Sequence, residues 1–169
     1  VFTSIVAAKG GNLLMDKQWS NDEVNAQASR QGTTWKVAMW GGLGRHPLMT
    51  EDGMSLVVCH ELGHHIAGAP KVRSIFGTSW AANEGQADYF GTLKCFRKVF
   101  RSENNVAIVA SLNVPQLVTN KCVTSLQLQG IPTTDAGYAN ELALCKRGAM
   151  AGLTLGSVLG SLGSPAVVP

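Results

Sequence analysis

Residues 57–68 read VVCHELGHHIAG and hold three of the four histidines in the chain. The run is apolar apart from those histidines and one glutamate, and it ends at Gly68 and Pro70, residue types that stop a helix. Upstream, Thr50 is a candidate N-cap, and Glu51 and Asp52 put negative charge in the first turn. The segment from about 50 to 68 is therefore read as a helix. Four residues on a helix advance by about 400°, so His60 and His64 project from one side about one turn apart. Glu61 is rotated by about 100° from His60. Two imidazole nitrogens so placed can hold one metal ion, and Glu61 can reach a water on that ion without ligating it. Three fixed residues in five also arise by accident, and the bland reading is an apolar helix that happens to carry histidines.

A catalytic zinc site takes three protein ligands and keeps a fourth position for water. The stretch AANEGQADYFGTLKC, residues 81–95, offers the third. On a second helix, Glu84 and Asp88 are four apart and face the same way. One carboxylate can ligate the metal. The other can accept the remaining ring N–H of a ligating histidine, which fixes its tautomer and raises its basicity. The pair lies among Trp, Ala, Gly, Tyr and Phe, not on a charged face. Gly68, Pro70 and Gly77 in the link allow the two helices to fold back on each other.

These two segments resemble the zinc-site motifs of the gluzincin metallopeptidases: HELGH at 60–64 and NEGQAD at 83–88. The E-x-x-A-D form is similar to that of the prenyl-protein peptidases and the small minigluzincins. The resemblance covers about residues 34–95, including the strand before the first helix, which in that family forms the rim of the cleft. It implies that His60, His64 and Glu84 bind zinc (Zn2+), that Glu61 is the catalytic general base, and that Asp88 orients a zinc-bound histidine, by analogy His60. The implied activity is hydrolysis of peptide bonds in a protein or peptide substrate. His65 matches no ligand position and is read as a surface or packing histidine. If an extended substrate adds as a strand along TWKVAMWGG, then Val37, Met39 and Gly41 line its path. The family adds a further donor to hold the oxyanion, and no histidine follows His65. Tyr89, Tyr138, Arg147 and His46 have the right chemistry, with core packing the expected role of Tyr89. A removed or separate C-terminal segment is the other source for that donor. The alternative function is a gluzincin-like zinc-binding scaffold with little or no catalysis, acting through protein partners.

The rest of the composition narrows the class. The chain has 169 residues, a length suited to a single catalytic domain with a sizeable core. Only 15% of residues are charged and the net charge is +3. The cations in KCFRKVFR (94–101) read as a solvated helix face, and no aromatic-interleaved basic stripe of the nucleic-acid type is present. The four cysteines contain no CxxC pair, so a cysteine zinc site is not expected. Cys59 sits in the apolar run and reads as a small buried hydrophobe. Cys95, Cys122 and Cys145 fall after position 90, where a disulfide is expected, with Cys122–Cys145 the first candidate. A disulfide implies a secreted or periplasmic protein. The start, VFTSIVAAKGG, reads as a trimmed terminus. The uncharged tail 148–169 comes closest to a membrane span, but its glycines and serines favour a small-residue helix packed on the core, so no integral span is expected.

The expected architecture is α+β. Residues 22–41 read as a β-hairpin, with EVNAQAS and TWKVAMW as strands and Gly32 in the turn; Trp35, Val37 and Met39 share one face. GGLGRHP (41–47) is a glycine-rich loop in which the backbone can approach something closely. A connector follows the first helix at 72–79, then a helix over about 80–100. Pro115 opens a helix through Cys122, 130–137 is a break, and a last helix spans about 136–162. A zinc-site half, 22–101, with a small antiparallel sheet thus precedes a helical half, 102–169, with a flexible tail from 163.

Overall fold

The computed structural model describes residues 1–74 and 77–163. It has the expected α+β architecture. A short helix α1 (Thr3–Ala7) leads into a three-stranded sheet of β1 (Asn12–Gln18), β2 (Ala26–Gln31) and β3 (Thr34–Trp40). The order is β1-β3-β2. The expected hairpin is present: β2 and β3 are antiparallel, with Ala28 opposite Val37. Gln31 pairs with Thr34 across a two-residue turn in which Gly32 has φ 57°, a conformation that glycine adopts without steric cost. The sheet also contains β1, which pairs parallel to β3 in the register Asn12↔Thr34 to Gln18↔Trp40. It is therefore mixed.

Gly41–Gly44 forms a single helical turn, α2, in place of a loop. Its glycines do permit a close approach: a Cβ on Gly41 would collide with the Trp19 carbonyl oxygen, and one on Gly42 with the backbone of Asp22. The helix α3 spans Glu51–Ile66, and the Thr50 hydroxyl accepts from the Gly53 N–H at 3.1 Å, the cap its sequence position requires.

After α3 the chain departs from expectation. The connector and the start of the expected second helix instead form an antiparallel pair, β4 (Lys71–Ser74) with β5 (Gly77–Ala82). The helix starts only at Glu84, where the Asn83 side chain caps it by accepting from the Gln86 N–H at 2.9 Å. From there α4 (Glu84–Phe90), a π-helical stretch (Gly91–Phe96) and α5 (Arg97–Phe100) run on as one rod. Then come α6 (Asn105–Ala110), α7 (Gln116–Leu128, directly after Pro115) and α8 (Tyr138–Ser161). The expected flexible tail lies outside the described residues from 164 onward.

Two apolar clusters flank α3. Leu56 and Leu62 join Phe2, Trp35, Phe96 and Leu144 on one side; Val57 joins Val37, Met39, Leu43 and Val158 on the other. Full burial of a side chain such as Phe96 or Leu144 contributes about 1.5–3 kcal/mol. The helix that carries the histidines is thus held on several sides. By length and composition α8 could cross a membrane; 28% of its most apolar 18-residue stretch is buried inside the fold, and Ala143, Leu144, Ala151 and Val158 are among its buried residues.

Disulfides join Cys122 to Cys145, as expected, and Cys59 to Cys95. Cys59 is buried, but as half of a crosslink and not as a lone hydrophobe.

Candidate metal centre

Two histidines come from α3, and both are fixed at Nδ1. An Asp88 carboxylate oxygen lies 2.7 Å from His60 Nδ1. The Ala82 carbonyl oxygen lies 2.8 Å from His64 Nδ1. Carboxylates and carbonyls only accept, so each ring carries its proton on Nδ1. When neutral, each ring then presents Nε2 as a lone pair. The two Nε2 atoms are 3.2 Å apart, and Glu84 Oε2 stands 3.1 Å from that of His60 and 3.6 Å from that of His64. Three electron-rich atoms converge on one point, and a positive charge there relieves their repulsion. Burial disfavours the charged form of His60, but the Asp88 hydrogen bond and the charges of Glu61, Asp88 and Glu84 outweigh it and hold its pKa above the ordinary imidazole value.

The triangle matches a zinc ion in size. Ligands at ~2.0–2.1 Å in tetrahedral geometry stand ~3.3 Å from one another. Two imidazoles and a carboxylate form the donor set of a site with one position left for water. The Glu84 side chain is 77% exposed and those of His60 and His64 18% and 12%, so the set opens to solvent from the carboxylate side.

Glu61 lies beside the histidines and is 8% exposed. Burial pushes its pKa up, opposed by the charges of His60 and His64 and by the nearby Ala28 main chain. Glu61 therefore lies next to β2. The Trp40 N–H donates to the Asn25 carbonyl, so the neighbouring positions Ala26, Ala28 and Arg30 turn their main-chain groups away from β3. The free edge of the sheet next to Glu61 is therefore β2.

This overturns the expected substrate strand. β3 is the central strand with both edges paired. The Val37 and Met39 side chains are core, and Gly41 is buried against Trp19. Alternation along TWKVAMW correctly showed an inward face but could not show which strand lies at the edge.

Glycine brings the two ligand-bearing helices together. A Cβ on Gly63 would sit 2.9 Å from the Ala87 Cα and carbonyl oxygen, and one on Gly91 3.2 Å from the His60 main-chain nitrogen. The Cys59–Cys95 disulfide crosslinks the same helices one residue before His60, with Cα atoms 5.5 Å apart.

His65 is a packing residue. It is 2% exposed, stacked between Trp35 (5.6 Å) and Trp80 (4.9 Å). Arg30 Nε–H donates to its Nδ1 at 3.3 Å, and its Nε2–H donates to the Lys36 carbonyl at 3.0 Å. Burial lowers its pKa to about 4. Of the other oxyanion candidates, Arg147 is bonded to Asp52, Glu103 and Asn105, and His46 contacts Ser161. Tyr89 is half exposed and not in the core, one residue from Asp88. The role of the Ala82 carbonyl was not legible from sequence, because any residue supplies one. In KCFRKVFR, Lys94, Lys98 and Arg101 are exposed and Arg97 pairs with Glu141.

No family model, no curated protein and no solved structure matches the chain.

Proposed function

We propose that the protein is a zinc-dependent endopeptidase of gluzincin type. The observation that carries this reading is the triangle of His60 Nε2, His64 Nε2 and Glu84 Oε2, with both Nδ1 positions already committed and a buried carboxylate, Glu61, alongside. A zinc ion held by these three groups would supply Lewis acidity, activating a water and polarising a peptide carbonyl. Glu61 takes the proton of the attacking water and passes it to the leaving amine. Asp88 and the Ala82 carbonyl keep the imidazoles in the ligating tautomer throughout. An extended peptide adds to the free edge of β2, bonding the outward carbonyls of Ala26 and Ala28. This places its backbone beside Glu61.

The test is zinc content by mass spectrometry paired with cleavage of casein or mixed peptides, for wild type and Glu61→Gln. One zinc per chain, with cleavage lost only in the variant, is the expected result. One zinc with no cleavage by either protein would replace the endopeptidase with a zinc-binding scaffold. No zinc in either would end both readings.

A further inference from the structure

We propose that Lys9, Arg30 and Lys71 form an anion subsite at one end of the β2 rim, which takes a carboxylate of the bound peptide. The inference rests on the peptidase reading for its ligand class, but its geometry is independent of the metal. The Arg30 guanidinium lies against the Trp35 and Trp80 indoles, Lys71 reaches the Trp80 main chain, and Lys9 is near enough to Lys71 to repel it. The Arg30 guanidinium lies 3.4 Å from the Trp35 ring centroid and 4.8 Å from that of Trp80. Lys71 Nζ donates to the Trp80 carbonyl at 2.8 Å. Lys9 stands two residues before Gly11, whose backbone packs on the Trp35 indole so closely that a Cβ there would be 2.5 Å from the ring.

No carboxylate pairs with any of the three among the described residues, and Arg30 and Lys71 are partly buried where the unpaired Lys17, Arg73, Lys94, Lys98, Arg101 and Lys121 are exposed. Arg30 spends Nε–H on His65 Nδ1 and one Nη2–H on the His65 carbonyl at 2.8 Å. Its Nη1 has no hydrogen-bond partner among the described residues. Like charges held together without a counter-ion repel, and burial with repulsion from Arg30 and Lys9 lowers the Lys71 pKa. An anion relieves that strain and finds a guanidinium already aligned by two indoles and a histidine.

The position fits a substrate. Arg30 follows Ala28 by two residues, about 7 Å along the strand, and the Ala28 main chain lies beside Glu61. A peptide lying on β2 therefore brings a group two or three residues from the cleaved bond to the cluster. That group is an Asp or Glu side chain, or the C-terminal carboxylate of a short peptide.

The experiment measures binding to zinc-loaded Glu61→Gln protein by fluorescence anisotropy. Four labelled peptides of one sequence are used: internal Glu with C-terminal amide, internal Gln with amide, internal Gln with free carboxylate, and internal Lys with amide. The expected result is about tenfold tighter binding of one or both carboxylate peptides over the neutral one at low salt. The two carboxylate arms tell side chain from terminus. In the Lys9→Gln/Lys71→Gln double variant the advantage should fall to about twofold or less. Equal binding of all four peptides, or an advantage undiminished in the double variant, overturns the subsite. Charge discrimination in binding, with no cleavage by wild type, would sustain the subsite and refute the peptidase reading.

Discussion

At the scale of single residues, the proposed metal centre would depend on groups that touch the histidines as much as on the histidines. Asp88 accepts from His60 Nδ1, and its side chain is still 66% exposed. Replacing it with Asn leaves the shape but removes the charge that makes the imidazole a better donor. Asp88→Asn should weaken zinc binding by about 10–100-fold, read by competition with a chelator of known affinity. Unchanged affinity would show that the Asp88 contact is incidental. Arg147 is a residue whose loss should hurt folding. It is 6% exposed, bonds Asp52 through two nitrogens at 2.7 Å each, bonds Glu103 at 2.6 Å, and lies over Phe100 at 4.1 Å. Arg147→Met keeps much of the volume but leaves the partly buried Asp52 carboxylate without its partner, while the exposed Glu103 returns to water, at a cost of about 1–3 kcal/mol. A denaturant midpoint within error of wild type would refute this.

At the scale of elements, the approach of α3 to the second ligand helix decides whether the triangle can close. Gly63 and Gly85 are both helical glycines, and they serve as a matched pair. Gly63→Ala forces a methyl against the Ala87 backbone, which cannot yield as a flexible side chain can. The expected cost is about 1–3 kcal/mol, together with weaker zinc binding as Glu84 is pushed away. Gly85→Ala meets nothing within 4 Å and should instead stabilise by about 0.5–1 kcal/mol. Thermal melts of the two variants with and without zinc make the comparison; the same sign for both would mean that the close approach does not matter. The Cys59–Cys95 crosslink acts on the same contact and spans 36 residues. Replacing both cysteines with Ala should cost about 3–4 kcal/mol by removing a constraint on the unfolded chain. The zinc-dependent rise in melting temperature should shrink as well, and a rise as large as in wild type would separate the crosslink from the site.

Across the whole molecule, sequence legibility followed the range of the interaction. The spacing of His60 and His64, the Thr50 cap, the helix start after Pro115 and the inward face of Trp35, Val37 and Met39 are set by residues within a turn or a strand of one another. All were readable because helix and strand periods are local. The parallel pairing of β1 with β3 was not, since a register across some twenty residues leaves no local pattern. The β4–β5 pair was missed because Trp80 and the alanines read as a helix start, although Asn83 before Glu84 is a capping signal that marks the true one. Cys59 was misread for the same reason: its neighbours are apolar, and its partner lies on another element. By itself, then, the sequence determined which side chains have metal-binding chemistry and which share a helical face. The tertiary structure alone decided that donor atoms of His60, His64 and Glu84 stand 3.1–3.6 Å apart, that the Ala82 carbonyl fixes His64, and that β2 is an edge strand. Those depend on how closely separate elements approach, and that distance is set by glycines, a crosslink and packed rings that no local period records.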